Sequence, residues 1–237
     1  YISRLLGLGE TETADRVAST ALYSSISVGA VIIICTILFL RPILRLLGAT
    51  ESILPYAEIY AGIYVVSSIF NIFNVTMNNI VTSEGAAKTT MCALLTGAVL
   101  NMVLDPVFIY VLHLGVAGAA IATAISQIVS TAVYLCYVFR KKSVFSFSIK
   151  KCCFSSEIMS EILKIGIPTL VFQLLTSLSV ALINLKARPY GDSVIAGMGA
   201  VTRIISMGSL MVFGFLKGFQ PIAGYSYGAK KYDRLHE

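Results

Sequence analysis

Tryptophan is absent from the 237 residues, and only 13% of them are charged, about half the share of a soluble globular domain. That scarcity excludes an ordinary water-soluble fold. Two histidines are present, His113 beside a turn and His236 in the tail, and neither has a catalytic partner nearby in sequence. The five cysteines show no CxxC or CxxH spacing. Cys35, Cys92 and Cys136 lie in apolar runs, where cysteine acts as a small hydrophobe. Cys152 and Cys153 are adjacent in a basic segment. Zinc ligation and a disulfide framework are thereby disfavoured. The apolar runs also lack a Ser with a base and lack paired acids, so a membrane-embedded enzyme or a non-transporting scaffold is the weakest reading. No alternating ten-residue strand pattern occurs, which argues against a transmembrane β-barrel.

What is present is 57% hydrophobic residues, gathered in six blocks. The apolar segments run over about 17–40, 56–82, 89–112, 117–139, 161–185 and 193–222. Each matches the roughly 20 apolar residues that span a bilayer. In lipid the backbone must satisfy its own hydrogen bonds, so each span is expected to be helical. The fold class is therefore an all-α membrane protein with six transmembrane helices. Residues 1–16 read as a cytoplasmic loop, and 17–139 as four helices of one lobe. A basic inter-lobe linker follows at 140–160, and 161–237 opens a second lobe with two helices and a cytoplasmic end. The chain begins at Tyr1 rather than Met, and we read it as an internal piece of a longer protein.

Lys and Arg alternate with the spans. One side carries twelve: Arg4, Arg16, Lys88, Arg140, Lys141, Lys142, Lys150, Lys151, Lys164, Lys230, Lys231 and Arg234. The other carries four: Arg41, Arg45, Lys186 and Arg188. The richer side is cytoplasmic by the positive-inside rule. The net charge of +6 is thereby topology charge, and no nucleic-acid partner is needed to explain it. The location this implies is a multi-pass place in the cell membrane, inner or plasma, with lipid as a constant partner.

Polar residues line parts of these spans. In the second, Tyr60, Tyr64, Ser67, Asn71, Asn74, Asn78 and Thr82 recur at steps of three and four, which puts them on one helix face. Lipid penalises such a face, so it points at protein or at a water-filled cavity. A stripe of this length favours a solvated pathway over a few interhelical bonds. In the fifth span Gln173, Ser177 and Asn184 share a face with Thr176 beside them. Arg203 and Lys217 share a face of the sixth. Lys217 is near enough to the end to snorkel, whereas Arg203 either faces a cavity or reaches for the interface.

Asp105 is the one acidic residue well inside a span. An Asp at mid-bilayer costs about 2.5–3.5 kcal/mol on insertion scales. Asn101 stands one helical turn earlier. Pro106 follows Asp105 and cannot donate to the Met102 carbonyl four residues back. Asp105 and Thr123 lie nine residues either side of Leu114, so in an antiparallel hairpin they reach equal depth. A carboxylate, an amide oxygen and a hydroxyl in one layer form a hard-oxygen set suited to Na⁺, or a carboxyl poised to exchange a proton. The alternative is a purely structural Asp bonded to Asn101 or Thr123.

The run NMVLDPVFIYVLHLGVAGAAIATAISQ at 101–127, the opening YISRLLGLGETETAD and the segment GFLKGFQPIAGYSYGAKKYDR at 214–234 resemble the multidrug and toxic-compound extrusion family of the MOP superfamily. The resemblance implies a twelve-helix, two-lobe monomeric transporter, with this chain holding helices three to eight. It implies cation-coupled antiport, in which small amphiphilic drugs or metabolites leave in exchange for Na⁺ or H⁺, with no other cofactor. It places the cation at Asp105, Asn101 and Thr123. We expect the substrate cavity to involve Ser67, Asn71, Asn74, Asn78, Gln173, Ser177 and Arg203. Some members carry an acidic residue in the seventh helix, and none stands here between Ile165 and Arg188. A flippase of lipid-linked oligosaccharide or polysaccharide, of similar lobe architecture, is the second reading.

Overall fold

The protein is described by a computed structural model over residues 1–46, 54–149, 155–187 and 192–231. Lys150, Lys151, Cys152, Cys153, Arg188, Arg234 and His236 lie outside the described residues, as does the side chain of Asn184. The helices are α1 (Ile2–Leu8), α2 (Thr11–Leu38), α3 (Leu40–Leu46), α4 (Leu54–Ser83), α5 (Ala87–Pro106), α6 (Gly115–Phe139), α7 (Ser156–Ala187) and α8 (Asp192–Gly228). A π-helical turn, Val107–Val111, follows α5. Six of these segments are long and apolar enough to cross a membrane.

The opening sixteen residues are not the loop that hydropathy suggested. Residues 2–8 form α1, which Gly9 closes in the left-handed region at φ 82°, a conformation glycine reaches without steric cost. The Glu10 amide then donates to the Leu5 carbonyl at 3.0 Å, and α2 starts at Thr11, six residues before the expected span. The reason is tertiary. Leu5, Ala14 and Val17 are buried in the same cluster as Met77, Ile80 and Val81, so a weakly apolar segment is held helical by the surface it covers. At its other end the first expected span breaks at Phe39, and α3 continues with Pro42 in its first turn, a position where the missing N–H does little harm. The sixth span runs past the expected 222, through Pro221, to Gly228.

α6 is the central element of the first group. It packs along both α4 and α5, while α2 packs along α4. The core holds Val17, Leu22, Met77, Ile80, Val81 and Tyr134. Outside it the surface is apolar: Ile32, Leu95, Met102, Ile204 and Met211 are all exposed, Met211 at 80%. Water would not tolerate so continuous a greasy surface, whereas bilayer or further helices would cover it.

The expected inter-lobe linker begins as part of the core. Phe145 is buried, and Phe147 packs against it edge-on, with ring centroids 6.1 Å apart. Two carboxylates hold residues 143–146 in place. Asp15 accepts from the Ser146 amide at 2.9 Å and from its hydroxyl at 2.7 Å. Glu84 accepts from the Tyr137 hydroxyl at 3.0 Å, from the Ser143 hydroxyl and from the Val144 amide. Tyr23 donates to the Phe147 carbonyl at 2.9 Å. These contacts gather the start of α2, the end of α4, the end of α6 and residues 143–147 at one end of the bundle. That end also carries Arg4, Arg16, Lys88 and Arg140.

Candidate cation and substrate site

α5 and α6 form an antiparallel hairpin, and two features set its register. His113 and Gly115 both adopt φ 53° and turn the chain. Gly118 then meets the π-turn at backbone distance: a Cβ there would lie 2.8 Å from both the carbonyl carbon and the oxygen of Phe108. Only glycine permits that approach. Pro106 ends α5 in helical conformation, and the π-turn follows directly. Such turns often mark functional segments.

In that register the three oxygen-bearing residues come together. The Asn101 amide donates to Asp105 Oδ1 at 3.3 Å and to Thr123 Oγ1 at 3.4 Å. The Thr123 hydroxyl donates to the Ala119 carbonyl at 3.0 Å, which turns its lone pairs toward Asn101. All three side chains are half-buried. The two Asn101 contacts are long for hydrogen bonds, so the amide bridges the carboxylate and the hydroxyl without gripping either.

Beside the trio is a cavity of about 260 Å³. Its walls include Asn74, Asn101, Thr123, Gln127, Ser130 and Tyr134. Along α6 the wall runs from Thr123 to Tyr134, roughly 16 Å at 1.5 Å per residue. Asn74 is buried, donating to Gln127 Oε1 at 2.8 Å and to the Gln127 carbonyl at 2.9 Å, and accepting from the Thr131 hydroxyl at 3.0 Å. Asn78 donates to the Tyr134 hydroxyl at 3.2 Å. Thr82 donates to the Asn78 carbonyl at 2.6 Å. The polar stripe of α4 therefore divides. Asn74 and Asn78 bond across to α6, and of the stripe only Asn74 also lines the cavity. Ser67 is buried and bonds the Tyr64 carbonyl of its own helix at 2.9 Å, while Asn71 is half-buried.

Sequence reasoning overlooked the α6 face. Gln127, Thr131 and Tyr134 follow Thr123 at steps of four, four and three, the same spacing that drew attention to α4, and Ser130 stands beside Thr131. Their small or amphipathic side chains are less conspicuous in an apolar run than the three asparagines of the α4 stripe.

The second group of helices holds the remaining expected residues. Gln173 and Ser177 are exposed on α7 and line neither described cavity. Arg203 is exposed on α8 and lines a separate cavity of about 430 Å³ with Val180, Thr202 and Ser206. Cys35, Cys92 and Cys136 are free and exposed. Among the described residues no three His, Cys, Asp or Glu side chains cluster as a metal site. Asp105 is thus a lone carboxylate among neutral oxygens. At the basic end, burial pushes the Glu84 carboxyl above its ordinary pKa, against the opposing pull of the Ser143, Tyr137 and Val144 donors.

Six helices long and apolar enough to cross a membrane, three of which enclose the cavity beside Asp105, define a multi-pass membrane protein. The MatE family model matches residues 1–107 and 168–237, and the chain belongs to that family. It is 32% identical over 231 residues to the multidrug export protein MepA of Staphylococcus aureus strain NCTC 8325, and 32% identical over 231 residues to MepA of Staphylococcus haemolyticus. Each alignment covers 98% of this chain and 51% of the relative, so the chain spans about half the length of these relatives. Among solved structures, an outward-facing multidrug resistance MATE transporter of the MOP superfamily shares 30% identity at a TM-score of 0.90, over 99% of this chain and 52% of that one. The same figures hold for a MOP superfamily transporter from Pyrococcus furiosus, described as having a binding pocket of reverse polarity that suggests a different function.

Proposed function

We propose that the whole protein is a secondary active efflux transporter of the cell membrane. It works as a monomer by alternating access and exchanges small amphiphilic drugs or metabolites for Na⁺ or H⁺. The observation that carries this reading is the meeting of Asp105 with Asn101 and Thr123, the latter two lining a cavity shared with Asn74, Gln127 and Ser130. A cation or proton at Asp105 neutralises a charge that the membrane interior disfavours. Loading therefore stabilises whichever lobe arrangement shields the carboxyl from water, and unloading stabilises the one that exposes it. The Asn74–Gln127–Thr131 network fixes the cavity wall opposite. The names of the relatives support multidrug substrates, and the greasy exterior supports a lipid partner.

The test is Asp105→Asn in the full-length protein, which keeps size and hydrogen bonding but cannot ionise. Drug efflux from cells or vesicles is expected to fall to background with membrane abundance unchanged. Efflux at the parental rate would remove Asp105 from the coupling site.

A second reading is supported by Arg203. A guanidinium lining the 430 Å³ cavity on α8 suits an anionic headgroup better than a cationic drug, as a lipid-linked oligosaccharide flippase requires. Accumulation of lipid-linked precursors on depletion, with ethidium-like cations retained as in the parent, would favour the flippase.

A further inference from the structure

α8 belongs to the helices after the linker, and its principal contact with the helices before the linker is α1. This joint is built from small residues. Ser3 and Gly7 stand four apart on α1, and Gly224 and Gly228 stand four apart on α8, so each pair shares a helix face. Small residues at this spacing let two helices approach to backbone contact. Here they do. A Cβ on Gly7 would overlap the Tyr225 carbonyl oxygen and lie 2.9 Å from the Ala229 nitrogen. A Cβ on Gly228 would overlap the Arg4 carbonyl oxygen and lie 3.1 Å from its carbon. Both obstacles are backbone, so no side-chain rotation relieves them. The Arg4 guanidinium lies 5.3 Å from the centre of the Tyr227 ring and adds a cation–π contact at the edge of the joint.

α1 itself is fastened to the first group. Leu5 is buried in that core, and the Ser3 hydroxyl donates to the Ser83 carbonyl at the end of α4 at 3.2 Å. The Gly9 turn leads directly into α2. A movement of α1 away from α8 is therefore a movement of the first lobe away from the second. The joint lies at the basic end, beside Lys230 and Lys231. The lobes also meet slightly between α4 and α8, and Ile158 of α7 packs against the core of the first group.

We propose that α1 and the Gly224–Gly228 end of α8 form a latch that closes the cytoplasmic side of the cleft between the lobes, and that this latch parts and re-forms in every transport cycle. The inference rests on the alternating-access reading above, but the contact itself is independent of Asp105 and of the substrate. The latch explains why α1 is helical at all: seven residues hold their helix because both lobes bury it. It also assigns a role to Gly7 and Gly228, whose replacement would wedge the cytoplasmic side apart.

The test uses the full-length transporter with its native cysteines replaced by serine. The Ser3 Cβ lies 3.3 Å from a Cβ built on Gly224, within a few tenths of an ångström of the roughly 3.5–4.5 Å of disulfides. In Ser3→Cys/Gly224→Cys, mild oxidation is expected to cross-link the pair in membranes. Efflux is expected to stop and to return on reduction, while each single variant transports. Cross-linking without loss of efflux overturns the latch, and so does failure to cross-link. A second measurement needs no transport: spin labels at Leu8→Cys and Lys231→Cys should give a short and a long distance whose proportions shift with pH, Na⁺ or drug. Gly7→Val should deplete the short one. A single distance under all conditions overturns the latch. Absence of efflux from the parent would instead sink the transport reading, leaving the distances to decide the latch.

Discussion

Replacing Asn74 by leucine tests whether the α4 stripe is chiefly a helix joint. The side chain is buried and makes three bonds to α6, two donated to Gln127 and one accepted from Thr131. Interhelical bonds in membrane proteins average about 0.6 kcal/mol and reach about 1.7. Three of them predict a loss of about 2 kcal/mol, since leucine matches asparagine in size and opens no cavity. Gln127 Oε1 loses its donor, whereas the Thr131 hydroxyl retains the Gln127 carbonyl at 2.9 Å as an acceptor. The loss should therefore come mainly from Gln127. Thermal unfolding of the purified full-length protein should show a melting temperature lower by a few degrees. In a double-mutant cycle, Asn74→Leu with Gln127→Leu should couple by about 0.5–2 kcal/mol. Stability unchanged in the single variant, or strict additivity in the cycle, would refute the joint. The stripe would then be read as a lining for water and substrate alone.

Two further outcomes follow from the geometry. Burial holds the Glu84 carboxyl above its ordinary pKa of 4.5, so the folded state binds that proton more tightly than the unfolded chain. Stability should then fall as pH rises from about 4.5 through the folded value; Glu84→Gln should flatten that slope, and melting curves at several pH values would show an unchanged slope if the carboxyl is not the cause. Gly118→Ala places a methyl group 2.8 Å from the Phe108 carbonyl and should cost about 1–3 kcal/mol by overpacking. By shifting Thr123 against Asp105, it should also raise the cation concentration needed for half-maximal efflux. An unchanged cation dependence would show that this contact does not set the site.

The sequence by itself determined the six spans, their helical nature and the lone carboxylate. Lipid enforces those features locally: an apolar run of sufficient length must be helical there, and an ionised side chain in it stands out against its neighbours. Asn101 and Asp105 were legible as a pair because one helix turn separates them, and Thr123 because a short hairpin ties depth to position along the chain. The tertiary structure decided what depends on one helix meeting another. It folded residues 2–8 into a helix, drew Phe145 and Phe147 out of an apparent linker into the core, and recruited Gln127, Thr131 and Tyr134 to the cavity and its joints. It brought Gly7 against Gly228, more than two hundred residues away. Periodicity gives the face of a helix but not its partner. That partner is set by packing and by which polar groups can satisfy one another across the gap.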